Sequence, residues 1–154
     1  MDYRDVEPLR AILHRALARY LTVTPRGFLI GDGVNLPRPS IEARILGFGG
    51  ARTLYRKRKP VCRSLDGVAA LTEPEKVCAE CADRDKCTPQ VRLDLIVEQR
   101  PYRCLLAFTS ARNFLEYDAR LRRDRVVLEK ALHEIMVVNR GSWGEMRFHI
   151  VEQA

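Results

Sequence analysis

The sequence predicts a mixed β fold with helices: a small barrel, opened by an N-terminal amphipathic helix and interrupted by a four-cysteine metal knuckle. Three observations predict it. Apolar and polar residues alternate in short runs at 41–45, 91–97 and 143–151, the period of half-buried strands. Apolar residues recur at intervals of three and four only in 6–21 and 111–123, the period of helices. Four cysteines, Cys62, Cys78, Cys81 and Cys87, fall within one polar, turn-rich segment between strand-like runs.

A chain of 154 residues is long enough for one domain with a genuine core. It divides into an N-terminal helix (1–24), a barrel (25–61 and 88–154) and a metal-binding insert (62–87). Apolar residues at 46% against 31% charged place it among globular rather than disordered chains. No apolar run approaches the eighteen residues that a membrane-spanning helix needs. Met1-Asp2-Tyr3-Arg4-Asp5 is acidic and unlike a signal peptide. Reduced, metal-spaced cysteines then predict a cytoplasmic protein. Basic residues number 27 against 20 acidic, a net charge of +7, which favours a polyanionic partner.

In the first helix, Leu9, Ile12, Leu13, Ala16, Leu17, Tyr20 and Leu21 form one stripe, with Pro8 in the first turn. The stripe packs on its own domain or makes a homodimer contact. Gly27-Phe28-Leu29-Ile30 reads as a strand closed by the turn Gly31-Asp32-Gly33. In the next strand Ile41, Ala43 and Ile45 face one way until Gly47-Phe48-Gly49-Gly50 interrupts it. That interruption predicts the bend or bulge a long strand needs to wrap a barrel. Val91, Leu93, Leu95 and Val97 alternate, Gln99-Arg100-Pro101 turns the chain, and residues 102–108 return as a hairpin partner. Thr109-Ser110 offers a cap to a helix over 111–123 with Phe114, Tyr117 and Leu121 inward. Residues 126–134 carry no clear period. Residues 135–138 and 143–151 predict a closing hairpin around Asn139-Arg140-Gly141-Ser142. Cys104, inside an apolar run, reads as a small core residue.

The insert holds the most specific chemistry. A Cys-x-x-Cys turn puts two sulfurs on one side of a knuckle, and two flanking cysteines complete a tetrahedron. Structural Zn2+ is the favoured occupant, a [4Fe–4S] cluster the alternative, and unrelated thiols or disulfides the bland reading. Immediately before it runs the most basic stretch: Arg52, Arg56, Lys57, Arg58 and Lys59, with no acidic residue between Glu42 and Asp66. Arg44 precedes the stretch, and Phe48 and Tyr55 interleave with it. Cations that track a backbone beside rings that stack on bases suit single-stranded nucleic acid. Trp143, close to Arg140 and Arg147, is a further candidate stacking residue. A solvated cationic face is the ordinary alternative.

A small barrel with a bent long strand and a helix before its last strands resembles an OB-fold, which binds oligonucleotides on one face and its loops. The chain further resembles bacteriophage-type zinc-binding single-stranded DNA-binding proteins. The residues that carry the likeness are Cys62-Arg63-Ser64-Leu65-Asp66-Gly67, which fits Cys-x-Ser-x-Asp-Gly, then Cys78-x-x-Cys81 and Cys87. Thr109-Ser110 leading to Phe114 and Tyr117, and the aromatic strand with Trp143 and Phe148, follow in the same order. The likeness spans residues 27–151 and is specific only in the knuckle; the Cys81–Cys87 gap is shorter and the N-terminal helix is extra. It implies zinc on the four cysteines and single-stranded DNA as partner, in replication or recombination. RNA is a further candidate strand.

No phosphate-binding loop, dinucleotide fingerprint or carboxylate cluster is present, and His133-Glu134 lacks the spacing and the Pro-Cys-x-x-Cys of zinc deaminases. The sequence therefore predicts a binding protein and no enzyme. The other classes it allows are a metal-stabilised protein–protein adaptor and an iron–sulfur transcriptional regulator.

Overall fold

The computed structural model describes residues 17–30, 36–71 and 76–153, which form a sheet-dominated mixed fold with one long helix. The strands are β1 (Arg19–Tyr20), β2 (Thr22–Thr24), β3 (Gly27–Leu29), β4 (Ser40–Arg56), β5 (Lys59–Ser64), β6 (Thr88–Val97), β7 (Arg100–Ala107), β8 (Ala131–Asn139) and β9 (Gly144–Gln153). Helix α1 (Phe108–Arg123) joins β7 to β8. The main sheet runs β1-β7-β6-β4-β8-β9, with β5 added to β4, and β2 and β3 make a separate ribbon.

Strand β4 is long enough to belong to two neighbourhoods. Its first residues, Ser40–Ala43, pair with β8, whereas Arg52–Arg56 pair with β5; β6 covers 44–53 on the other edge. Between them the register shifts at Ile45/Gly47. This is the bulge expected from the glycine cluster, and it has a consequence the alternation conceals. An extra residue reverses which side chains point inward. Ile41, Ala43 and Ile45 are buried, and after the bulge Phe48 packs against the core with its ring edge-on to Phe114, 5.0 Å between centroids. Phe48 is therefore partly buried in the packing, which leaves only part of its ring for stacking.

The core lies between the inner face of the sheet and α1. Phe114 is fully buried and also meets Phe148 edge-on at 5.3 Å. Tyr117 and Leu121, three and four residues further along, continue the same stripe. Cys104 is buried beside Met146, and burial pushes its thiol up to about 12, so it remains a neutral core group.

The expected closed barrel is not formed: among the described residues, β7 and β9 make no ladder with one another. Two contacts explain why. Strand β1 runs parallel to β7, pairing Arg19 with Tyr102 and Tyr20 with Arg103, and so occupies part of its outer edge. On the other side of the seam, Met146 N–H donates to Ser110 Oγ and Met146 C=O accepts from Asn113 Nδ2, both at 3.0 Å. Helix side chains thus satisfy the edge that a closing strand would have used. Ser110 consequently does not cap α1, which begins at Phe108 with no side-chain cap.

The N-terminal helix lies mostly outside the described residues. Its expected last turn is corrected: Arg19–Tyr20 is extended, and Leu21 N–H donates to Arg103 C=O at 2.8 Å. An exposed sheet edge offers these residues backbone partners that a helix end would lack. The turn expected at 31–33 is outside the described residues. The 98–99 pair, not 99–101, turns β6 into β7, and residues 126–134 resolve into a 3-10 turn, Leu128–Lys130, followed by the start of β8. Gly144 is required where β9 begins, because a Cβ there would lie 2.7 Å from Thr24 O and 2.6 Å from Val137 Cγ1. No helix among the described residues is long and apolar enough to cross a membrane.

His133, on β8, is wholly buried. Its Nε2 lies 2.8 Å from Leu128 C=O, which can only accept, so Nε2 carries the proton and Nδ1 accepts from Tyr117 O–H at 2.6 Å. Burial holds its pKa below the ordinary value, opposed by the Leu128 bond and assisted by Arg44. The unfolded chain therefore takes up a proton near pH 6.5 that the fold resists, and stability falls as pH drops from there through the depressed folded value. His133→Ala strands both partners in the core and leaves a cavity; urea unfolding should show a loss of about 3 kcal/mol. It should also flatten stability between pH 7 and 5.

Candidate metal and nucleic-acid site

The β4–β5 hairpin and the 62–87 segment form one unit. At its tip, Lys57 and Arg58 both have positive φ, 52° and 65°, the backbone of a two-residue hairpin turn that usually selects Asn-Gly. Glu98 and Gln99 adopt the same conformation in the β6–β7 turn, so the strain marks the turn type. What distinguishes the first turn is its charge: Arg56, Lys57, Arg58 and Lys59 are all exposed.

The base of this hairpin is braced. Thr53 Oγ1 donates to Gln90 Oε1 at 2.6 Å in a buried pair, and Gln90 Nε2 reaches Tyr55 Oη at 3.4 Å. The tether fixes the tyrosine while its ring remains 41% exposed. Arg56 pairs with Asp83 at 3.4 Å, linking the hairpin to the loop that carries Cys81 and Cys87.

The Cys-x-Ser-x-Asp-Gly residues build a turn. Asp66 Oδ1 accepts from Val68 N–H at 2.8 Å, Ala69 N–H at 3.0 Å and Ser64 Oγ at 3.0 Å. These bonds, the one from Ala69 foremost, hold the carboxyl below its usual range. Ser64 Oγ in turn accepts from Gly67 N–H at 2.9 Å, and Gly67 takes the positive φ of 75° that the turn needs. Arg92 of β6 donates to Leu65 C=O and fastens the turn to the sheet. The chain then doubles back, with Cys78 N–H donating to Val68 C=O at 2.7 Å and Ala70 N–H to Lys76 C=O at 3.0 Å. Two 3-10 turns, Cys78–Glu80 and Arg84–Lys86, carry the remaining cysteines.

This path brings Cys62, Cys78, Cys81 and Cys87 to the wall of a single cavity of about 20 Å³. All four are unpaired and half-buried. Cys87 is harder to ionise than an ordinary thiol, through burial first and then through repulsion by Cys81, Cys62 and Cys78; Arg52 opposes this. No group of three or more His, Cys, Asp or Glu side chains among the described residues is gathered closely enough to hold an ion. The thiols ring the cavity without converging on one point. The donor set nevertheless fits a thiophilic ion, and the volume admits one atom-sized body.

The nominated strand-binding residues separate into groups. Arg56, Lys57, Arg58 and Lys59 cluster at the tip with Tyr55 at its base. Arg52 is half-buried and lines the cysteine cavity, where it offsets thiolate charge. Arg44 is exposed but twelve residues before Arg56 on β4, on the other side of the Ile45/Gly47 bulge. Trp143 lies in the β8–β9 turn, 43% exposed. Sequence reasoning missed Asp83 and Arg92, which lock the insert to hairpin and sheet, because both act across long separations. It also missed Phe108, which the apolar run 104–108 presents as a strand end. Compared with protein families, characterised proteins and solved structures, the chain matches none of them.

Proposed function

We propose that this chain binds single-stranded nucleic acid, DNA foremost, without sequence preference, and serves replication or recombination. The observation that carries the reading is the braced hairpin whose tip exposes four consecutive cations, Arg56 to Lys59, beside the half-exposed Tyr55 ring. Phosphate neutralisation supplies affinity and ring stacking holds unpaired bases, neither of which reads sequence.

The topology supports this. Strands β4, β6, β7, β8 and β9, with α1 between the third and fourth, follow the order of an open OB-fold. Such folds bind oligonucleotides with strands two and three and with the loops after strands one and four. On that count the basic hairpin and its insert form the first of these loops, and the turn bearing Trp143 forms the other.

Zn2+ on Cys62, Cys78, Cys81 and Cys87 would serve as a structural clamp. Four thiolates leave no position open for chemistry, and a cavity of about 20 Å³ suits one ion better than a four-iron cluster. A colourless protein with one zinc equivalent is expected.

A labelled oligo-dT titrated at low salt tests the function. It should bind, and duplex DNA at equal phosphate concentration should compete poorly. An adaptor would hold the same metal and ignore the strand, so absence of binding at low salt rejects the proposal.

A further inference from the structure

Phe108 stands out. It is the first residue of α1, it has φ +47°, and its side chain is 78% exposed. Among the described residues, the other non-glycine positions of positive φ are Lys57, Arg58, Glu98, Gln99 and Arg125, which lie in hairpin turns or just past the end of α1. There the chain reversal demands that backbone. Phe108 sits at a strand-to-helix junction and is the one aromatic among them. A fold that holds a phenyl ring in water on a strained backbone loses twice unless the ring has a partner.

Its surroundings indicate that partner. The unclosed seam between β7 and β9 leaves a cleft of about 400 Å³, within the range of small-molecule sites. Phe108 stands at this cleft with Trp143, and Val23, Leu105 and Met146 line its apolar floor. Cations flank it. Arg112 shares a second groove with Phe108, and Arg140 adjoins Trp143 in the β8–β9 turn, its N–H donating to Trp143 C=O at 2.9 Å. Two exposed rings on an apolar slot match a planar ring, and Arg112 in the adjoining groove offers a cation to the anionic chain that carries it, whereas the Arg140 guanidinium is held by Glu145 at 3.4 Å.

We infer that the seam cleft receives one unpaired nucleobase of the bound strand, with Phe108 as its stacking face and Trp143 as the opposing ring. The inference rests on the single-strand reading above and adds a stacking site beyond the base of the cationic hairpin, since Phe108 shares a groove with Gln90, whose amide reaches Tyr55. One strand would then be held at two places, by charge at the hairpin and by stacking at the seam.

Trp143 is the only tryptophan in the chain, so its emission reports directly on the cleft. The full chain is titrated with oligo-dT and with an abasic oligomer of equal length. Oligo-dT should quench the emission, whereas the abasic strand should bind through charge and leave it nearly unchanged. Phe108→Ala should weaken oligo-dT binding by about 5- to 50-fold and leave abasic binding and the salt slope intact. Phe108→Gly should lose the same affinity while raising the thermal midpoint, because glycine accepts the positive φ; this separates a lost contact from a damaged fold. Oligo-dT affinity unchanged in both variants, or unquenched emission in wild-type protein, overturns the inference and leaves the hairpin reading standing. Failure of wild-type protein to bind any strand overturns both. Sedimentation that shows Phe108→Ala splitting a dimer, with oligo-dT affinity intact, assigns the groove to a second copy of the chain and overturns the base site.

Discussion

Chelating the proposed zinc should release the 62–87 insert while the sheet stays folded. Within that segment only Ser64 and Ala70 are buried among the described residues, so it has almost no core of its own. Its order rests on a few backbone bonds, the Asp66 turn and the Arg56–Asp83 and Arg92–Leu65 links, each worth on the order of 1 kcal/mol. Structural zinc contributes about 10–16 kcal/mol in zinc-finger peptides, far beyond what those links supply. Hydrogen exchange provides the readout. After chelation the Ala70, Cys78 and Cys81 amides should exchange freely, whereas those of Leu93, Leu95 and Ile135 should stay protected. Cys81→Ser should reproduce the effect and drop zinc content to near zero. Cys104→Ala, in the core, should cost some stability and leave the zinc stoichiometry at one. Unchanged exchange in the insert after complete metal removal would falsify the clamp.

Reversing the charge at the hairpin tip should have the second large effect. Lys57→Glu with Arg58→Glu removes two cations and adds two anions where phosphates would pass. Oligo-dT affinity should fall roughly a hundredfold at low salt. Neither side chain has an ion pair to lose among the described residues, and the strained backbone is no worse for Glu than for Lys, so the fold should be unaffected. Arg122→Glu with Arg123→Glu on α1 is the control of equal charge change, and it should leave oligo-dT affinity far less affected although it gives up the pairs with Asp118 and Asp124. Replacing the same tip residues by Asn-Gly separates charge from strain. That variant should gain about 1 kcal/mol of stability, because the turn favours this pair, and still lose affinity.

Much of the fold was legible because it is written in short periods. Val91, Leu93, Leu95 and Val97 mark β6, and Phe114, Tyr117 and Leu121 mark the inner face of α1; each signal is local. The cysteine spacing likewise led to one cavity. What escaped depends on distant partners. Phe48 turned inward because a bulge reversed the alternation, and the glycines announced the bend without its parity. Arg19–Tyr20 left helix for strand because β7 offered an edge more than eighty residues away. Ser110 has the chemistry of a cap but spends it on Met146. The barrel stays open for the same reason. Arg52 read as one more cation of a basic run, and only the fold sets it beside the thiols.

The salt dependence of oligo-dT binding tests the central claim most directly. Four tip cations predict a slope of log affinity against log salt of about −3 for wild-type protein, shrinking by about 1.4 when Lys57 and Arg58 are reversed. Equal slopes and equal affinities in the two proteins would mean that the hairpin does not touch the strand.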